Sequence, residues 1–188
     1  ATADSNGAFS ITSSSLSDGS YSLTATSTDG GLNTSDSSSS LTITIDATSP
    51  DAPTSLTTTS TTTNDNTPTI TGSAEAGSTV KLYSGTTLLG SATADSNGAF
   101  SITSSSLSDG SYSLTATSTD SAENTSSASD SLSITVDTST PNAPTSLVNN
   151  TTTVYDSTPT ISGSAEAGST VKLYSGSTLL GSSTADSN

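Results

Sequence analysis

The chain contains no cysteine, histidine, methionine or tryptophan, and only two basic residues, Lys81 and Lys172. Each absence removes a class of function. Without cysteine there is neither a disulfide framework nor a thiolate zinc site. Without histidine, no serine or threonine has an imidazole base to turn it into a nucleophile. Seventeen acids against two lysines leave a formal charge of -15. Such a surface repels phosphate backbones and anionic lipid alike, which argues against nucleic-acid partners and membrane association. No apolar run approaches the roughly 20 residues of a membrane helix. The sequence opens at Ala1 in mid-pattern, with no signal peptide or initiator methionine, which reads as a cut through a periodic chain.

Hydrophobic residues make up only 28% of the chain, and Ser and Thr fill most other positions. Low hydrophobicity with high net charge is a mark of disorder. Here, however, apolar residues alternate with polar ones, and the Thr, Val, Ile and Tyr that carry the pattern favour strands. The expected class is all-β.

Internal repetition sets the architecture. The run ATADSNGAFSITSSSLSDGSYSLTATSTD beginning at Ala1 recurs unchanged from Ala92, an offset of 91 residues. PTITGSAEAGSTVKLYSGTTLLG, beginning at Pro68, recurs from Pro159 at the same offset with only Thr71 becoming Ser162 and Thr86 becoming Ser177. Solenoid repeats run about 20–50 residues, whereas an immunoglobulin-type sandwich needs about 100. Each repeat is therefore a whole domain. The linkers SPDAPTS at Ser49 and TPNAPTS at Thr140 mark boundaries, because proline fixes φ and removes a ladder donor. The expected organisation is the last three strands of one repeat in 1–49, a complete repeat in 50–140, and the first four strands of another in 141–188.

Within the complete repeat, seven strands are expected over 55–58, 67–74, 79–84, 88–94, 99–104, 111–119 and 131–137. Ala-Gly at 76–77, Asn-Gly at 97–98 and Asp-Gly at 109–110 supply turn chemistry between them. Alternation places Ile70, Ala74, Val80, Leu82, Leu89, Phe100, Ile102, Leu114, Ala116, Leu132, Ile134 and Val136 on the inward face. Tyr112 follows an Asp-Gly turn at the start of the sixth strand, and Tyr21 repeats it. That is the position of a tyrosine corner, in which the phenol bonds back to the chain. The fold expected is a set of tandem seven-stranded immunoglobulin-like β-sandwiches, head to tail.

GSAEAGSTVKLY at Gly72, TADSNGAFSI at Thr93, LSDGSYSLTATSTDSAENTS at Leu107 and ITVDTSTPNAP at Ile134 stand in a fixed order and spacing. In these motifs the whole chain resembles the bacterial Ig-like repeats of giant surface adhesins of the biofilm-associated and RTX type. The resemblance implies spacers that hold an adhesive tip away from the cell, often rigidified by calcium at domain junctions. The family's usual Ala-Gly-Asn after the sixth strand is Ala122-Glu123-Asn124 here, and Gly31-Leu32-Asn33 in the earlier copy.

Catalytic chemistry finds no place in this pattern. A Ser-Lys pair would need Lys81, which alternates outward between Val80 and Leu82. A glycosidase needs two carboxylates across a cleft, whereas these acids lie in turns at opposite ends of a sandwich. The Asn-x-Ser/Thr triplets at Asn33, Asn124, Asn149 and Asn150 say no more than surface location in so Ser/Thr-rich a chain. An ice-binding threonine grid needs flat, short coils that a twisted sandwich lacks.

Strand direction sorts the acids onto two ends of each domain. In a head-to-tail array Asp18 and Asp46 are expected to approach Glu75, Asp95, Asp120 and linker Asp51, and Asp109 and Asp137 to approach Glu166 and Asp186. Crowded carboxylates suit calcium, which takes about six to eight oxygens; the alternative is that they are ordinary solubilising turn residues. The expected function is a structural spacer of an extracellular, cell-surface fibre, with neighbouring repeats or identical chains as partners and no small-molecule substrate. The competing expectation is a module whose loops grip a glycan or a host or neighbour-cell protein. Gripping sites favour aromatic or arginine anchors, and this chain has no arginine, two Phe and five Tyr.

Overall fold

Alternating Thr, Val and Ile make the ladders, and the described residues of the computed structural model, 1–149 and 157–187, contain strands and turns but no helix. The chain divides into two compact units, Ala1–Asp137 and Thr138–Asn188. The Asn150 glycosylation triplet lies outside the described residues.

The first unit begins with β1 (Gly19–Leu23) and β2 (Leu41–Ile45), an antiparallel pair in which Tyr21 faces Ile43. The complete repeat follows with β3 (Thr54–Thr57), β4 (Thr62–Thr63), β5 (Thr69–Ser73), β6 (Thr79–Ser84), β7 (Thr87–Thr93), β8 (Ala99–Thr103), β9 (Gly110–Thr119) and β10 (Leu132–Val136). One sheet runs β3-β5-β8 and the other β4-β10-β9-β6-β7. The second unit holds two hairpin-like pairs, β11 (Thr145–Asn149) with β12 (Ile161–Ser164) and β13 (Thr170–Ser175) with β14 (Thr178–Thr184).

The seven expected strands are all present, and β4 is an unexpected eighth. β3 pairs antiparallel with β5, whereas β4 crosses to the other sheet and runs parallel to β10. Among residues 1–49 two strands form rather than three. The copy of β8 there makes no ladder, because in the complete repeat β8 pairs only with β5, and residues 1–49 contain no copy of β5.

Ten of the twelve expected inward residues are buried; Ala74 and Leu132 pack against that cluster half-buried. Leu107 and Ala94 join them from outside the expected set. Within the β3-β5-β8 sheet, Gly72 on β5 is hemmed in by its two neighbouring strands. A Cβ there would lie 2.7 Å from the Phe100 ring and 2.9 Å from the Thr54 carbonyl. At the corner before β9, the Tyr112 hydroxyl donates to the Ser108 carbonyl at 2.8 Å, and Tyr21 does the same to Ser17 at 2.8 Å. Both are tyrosine corners.

Candidate functional site

The linker between residues 1–47 and the complete repeat is fastened from both sides. On the upstream side, Asp18 stands one residue before β1, beside the end of β2, because β1 and β2 are registered antiparallel. Its carboxylate accepts from the Ala47 amide at 2.9 Å and from the Thr48 hydroxyl. Asp46 closes β2 and caps the Thr48 amide at 3.2 Å. These bonds hold the first linker residues against the domain they leave.

On the downstream side, the loop after β9 supplies an amide. Asp120 accepts the Ala122 and Asn124 amides at 2.8 and 2.9 Å through one oxygen, and the Asn124 side chain at 2.9 Å through the other. The same Asn124 Nδ2 donates to the Asp46 carbonyl at 3.1 Å. Ser118, buried on β9, donates its hydroxyl to the Asp51 carbonyl at 3.0 Å. Pro50 and Pro53 are buried, so the two fixed φ angles of the linker are packed as well as bonded.

Hydrogen bonds to charged oxygens favour the ionised form. The Thr48 hydroxyl, with the Ala47 amide, holds the Asp18 carboxyl below the ordinary aspartate range. The Asn124 side chain does the same to Asp120, against a smaller opposing effect of desolvation. In the earlier copy of that loop Asp29 is lowered chiefly by Asn33.

The remaining acids singled out by the sequence close their own loops or strands. Asp95 accepts the Asn97 and Ala99 amides at 2.8 and 2.9 Å. Glu75 offers its backbone carbonyl to Ser78, and Glu166 offers its own to Ser169. Asp109 precedes β9, and Asp137 ends β10 with its amide on the Thr63 carbonyl at 2.9 Å. Asp186 follows β14 in the second unit.

Of the carboxylates expected to converge, that of Asp120 reaches Asp46 only through Asn124, which bonds the Asp46 backbone carbonyl and not its carboxylate. Among the described residues, no three carboxylates gather closely enough to share a cation. Calcium needs about six to eight oxygens at once, and the Asp18, Asp95 and Asp120 oxygens hold loop amides and hydroxyls instead. At the 46–51 linker, Asp18, Asp46 and Asp120 as arranged do not fit a calcium ion.

Sequence reasoning missed Asn124, Ser118 and Thr48, the three side chains that donate to the linker or brace it. Asn124 left a signal, the Asp-x-x-x-Asn spacing shared by Asp29/Asn33 and Asp120/Asn124. Ser118 left one too: it continues the inward parity of Leu114 and Ala116 with a polar group, which a buried position tolerates only with a partner.

No curated protein sequence matches the chain. Among solved structures, a biofilm-associated protein BSP domain is similar at 24% identity and a TM-score of 0.38, over 74% of this chain and 23% of that one. The fibronectin(III)-like modules of Clostridium thermocellum CbhA are similar at 19% identity and a TM-score of 0.41, over 64% of each chain. The chain thus spans under a quarter of the first and just under two thirds of the second. The bacterial Ig-like domain family matches residues 1–47 and 49–138, most of the sequence and both sides of the fastened linker, and the chain belongs to that family.

Proposed function

We propose that the chain is a structural spacer segment of a long extracellular adhesin or fibre on a bacterial surface. The observation that carries this reading is the linker at residues 46–51, bonded to the domain before it by Asp18 and to the domain after it by Asn124 and Ser118. A flexible tether between independent binding modules has no use for such fastening, whereas a stalk does. Near-identical copies at an offset of 91 residues suit length, since each adds the same increment. Hydrogen bonds and buried prolines supply the stiffness here; calcium-dependent stiffening would require Asp18 and Asp120 to release the groups they hold.

The reading is tested by deleting the repeats from the parent surface protein and restoring the length with unrelated rigid domains. Recovery of adhesion with foreign spacers supports it. Persistent loss despite restored length would mean that the repeats themselves grip a glycan or protein.

A further inference from the structure

β7 passes into β8 through the turn at 95–99, and Asp95 closes that turn. Its carboxylate accepts the Asn97 and Ala99 amides at 2.8 and 2.9 Å through one oxygen. Its backbone carbonyl accepts the Gly98 amide at 2.9 Å. The Gly98 carbonyl accepts the Ala74 amide at 2.8 Å, which ties the turn to the residue that follows β5. Gly98 is buried at φ 82, and a Cβ there would run into the Ala74 carbonyl. Only glycine serves at that position.

The residue before it is an asparagine exposed to water. An asparagine followed by glycine is open to attack by the next backbone nitrogen, because glycine has no Cβ to stand in the way. The nitrogen gives up its proton to solvent base and bonds to the asparagine Cγ. The bond from Cγ to the side-chain nitrogen breaks, ammonia leaves, and a cyclic succinimide remains. Water then opens the ring at either carbonyl, giving aspartate or isoaspartate. Each product carries a new negative charge, and isoaspartate also puts Cβ into the main chain. The fold thus demands glycine at the position that makes Asn97 reactive.

We propose that Asn97 and Gly98 form a self-modification site, held in check by the 95–99 turn and released when that end of the repeat opens. The guard lies in the bonds of the turn. Attack requires the Gly98 nitrogen to lose its proton and swing toward the Asn97 side chain. In the folded turn that N–H is committed to the Asp95 carbonyl. The groups on either side are pinned as well, the Asn97 amide by the Asp95 carboxylate and the Gly98 carbonyl by Ala74. The reaction runs one way, since ammonia is lost. With Cβ in the main chain, the Asp95 carboxylate no longer meets amides at the spacing it caps, so an isoaspartate repeat cannot rebuild its turn. The site therefore records that a repeat has opened. This goes beyond the spacer reading and does not depend on it.

The test follows Asn97 in the 188-residue chain by peptide mass spectrometry, folded and in urea, at mildly alkaline pH. Trypsin cuts after Lys81 and Lys172, which separates Asn97 from the identical run around Asn6. Conversion in the folded chain is expected to be about tenfold slower than in urea, or slower still, the protection of a local opening that costs about 1.4 kcal/mol. Asp95→Ala removes the carboxylate bonds and is expected to bring the folded rate toward the urea rate. Asp95→Asn keeps an accepting oxygen and is expected to hold the rate down. A second measurement needs no variant: Gly98 amide exchange and Asn97 conversion are expected to rise together as urea is added below the unfolding transition. Equal rates in the folded and unfolded chain would overturn the proposal. So would no conversion in urea, or conversion that stays flat while Gly98 exchange rises. An Asp95→Ala chain that is folded by circular dichroism yet converts no faster than the parent would overturn it too.

Discussion

The side-chain amide of Asn124 bridges the Asp46 carbonyl, 78 residues earlier, at 3.1 Å and the Asp120 carboxylate of its own loop at 2.9 Å. One residue thus couples the end of one domain to the loop that shapes the next. Asn124→Ala is expected to cost about 0.5–1.5 kcal/mol, the net worth of an ordinary hydrogen bond. It also removes the main influence holding the Asp120 carboxyl low. Carboxyl chemical shifts followed against pH are expected to show Asp120 titrating higher in the variant than in the parent, with Asp18 unmoved.

Acid is expected to loosen the same contacts. Asp18, Asp29 and Asp120 each titrate lower when folded than in an open chain. A depressed folded pKa adds stability that is fully present above the unfolded value of about 3.9 and is lost as pH falls through the folded one. Denaturant midpoints are therefore expected to hold steady from neutrality down to about pH 5 and to drop below about pH 4. Asp18→Asn is expected to flatten part of that drop and to lower the plateau. A midpoint that rises on acidification would show that charge repulsion among the 17 acids outweighs these bonds.

The tyrosine corner offers a test inside the complete repeat. Tyr112→Phe keeps the ring, packed against the core, and removes the hydroxyl's bonds to the Ser108 carbonyl and the Ser108 hydroxyl. A loss of about 0.5–1.5 kcal/mol is expected from chemical denaturation. A neutral result would mean that the ring alone sets the corner.

Much of this fold was legible because strand periodicity is a local signal. The strand over 79–84 lies where alternation puts it, with Val80 and Leu82 buried and Lys81 exposed. What escaped has no such signal. β4 is two threonines, Thr62 and Thr63, held by backbone bonds to β10, and no apolar residue announces it. Leu107 is buried from a loop, where no period applies. Asp46 follows β2 and Asp109 precedes β9. The partners of their oxygens depend on how each loop folds on itself. A carboxylate that caps the amides two and four residues ahead, as Asp95 does through one oxygen, turns that oxygen into its own loop.

Backbone strain gives a stabilising prediction. Glu123 sits at φ 70 and Leu32 at φ 69, the left-handed region that side chains with a Cβ disfavour. Glu123→Gly relieves that strain but frees the unfolded chain, and a net gain of about 0.5–1 kcal/mol is expected. Gly72→Ala runs the other way. Its methyl would strike Phe100 and the Thr54 carbonyl, and a loss of about 1–3 kcal/mol is expected from overpacking. Thermal melts of the two variants are expected to shift in opposite directions.

The central claim is that the linker is stiff by its own bonds. Small-angle scattering of arrays with two, four and six complete repeats, in millimolar calcium and in chelator, tests it most directly. The account expects the maximum dimension to grow linearly with repeat number, by at least the ~33 Å length of a ten-residue strand such as β9 per repeat, identically in both buffers. Growth as the square root of repeat number, or an extended array only when calcium is present, would contradict it.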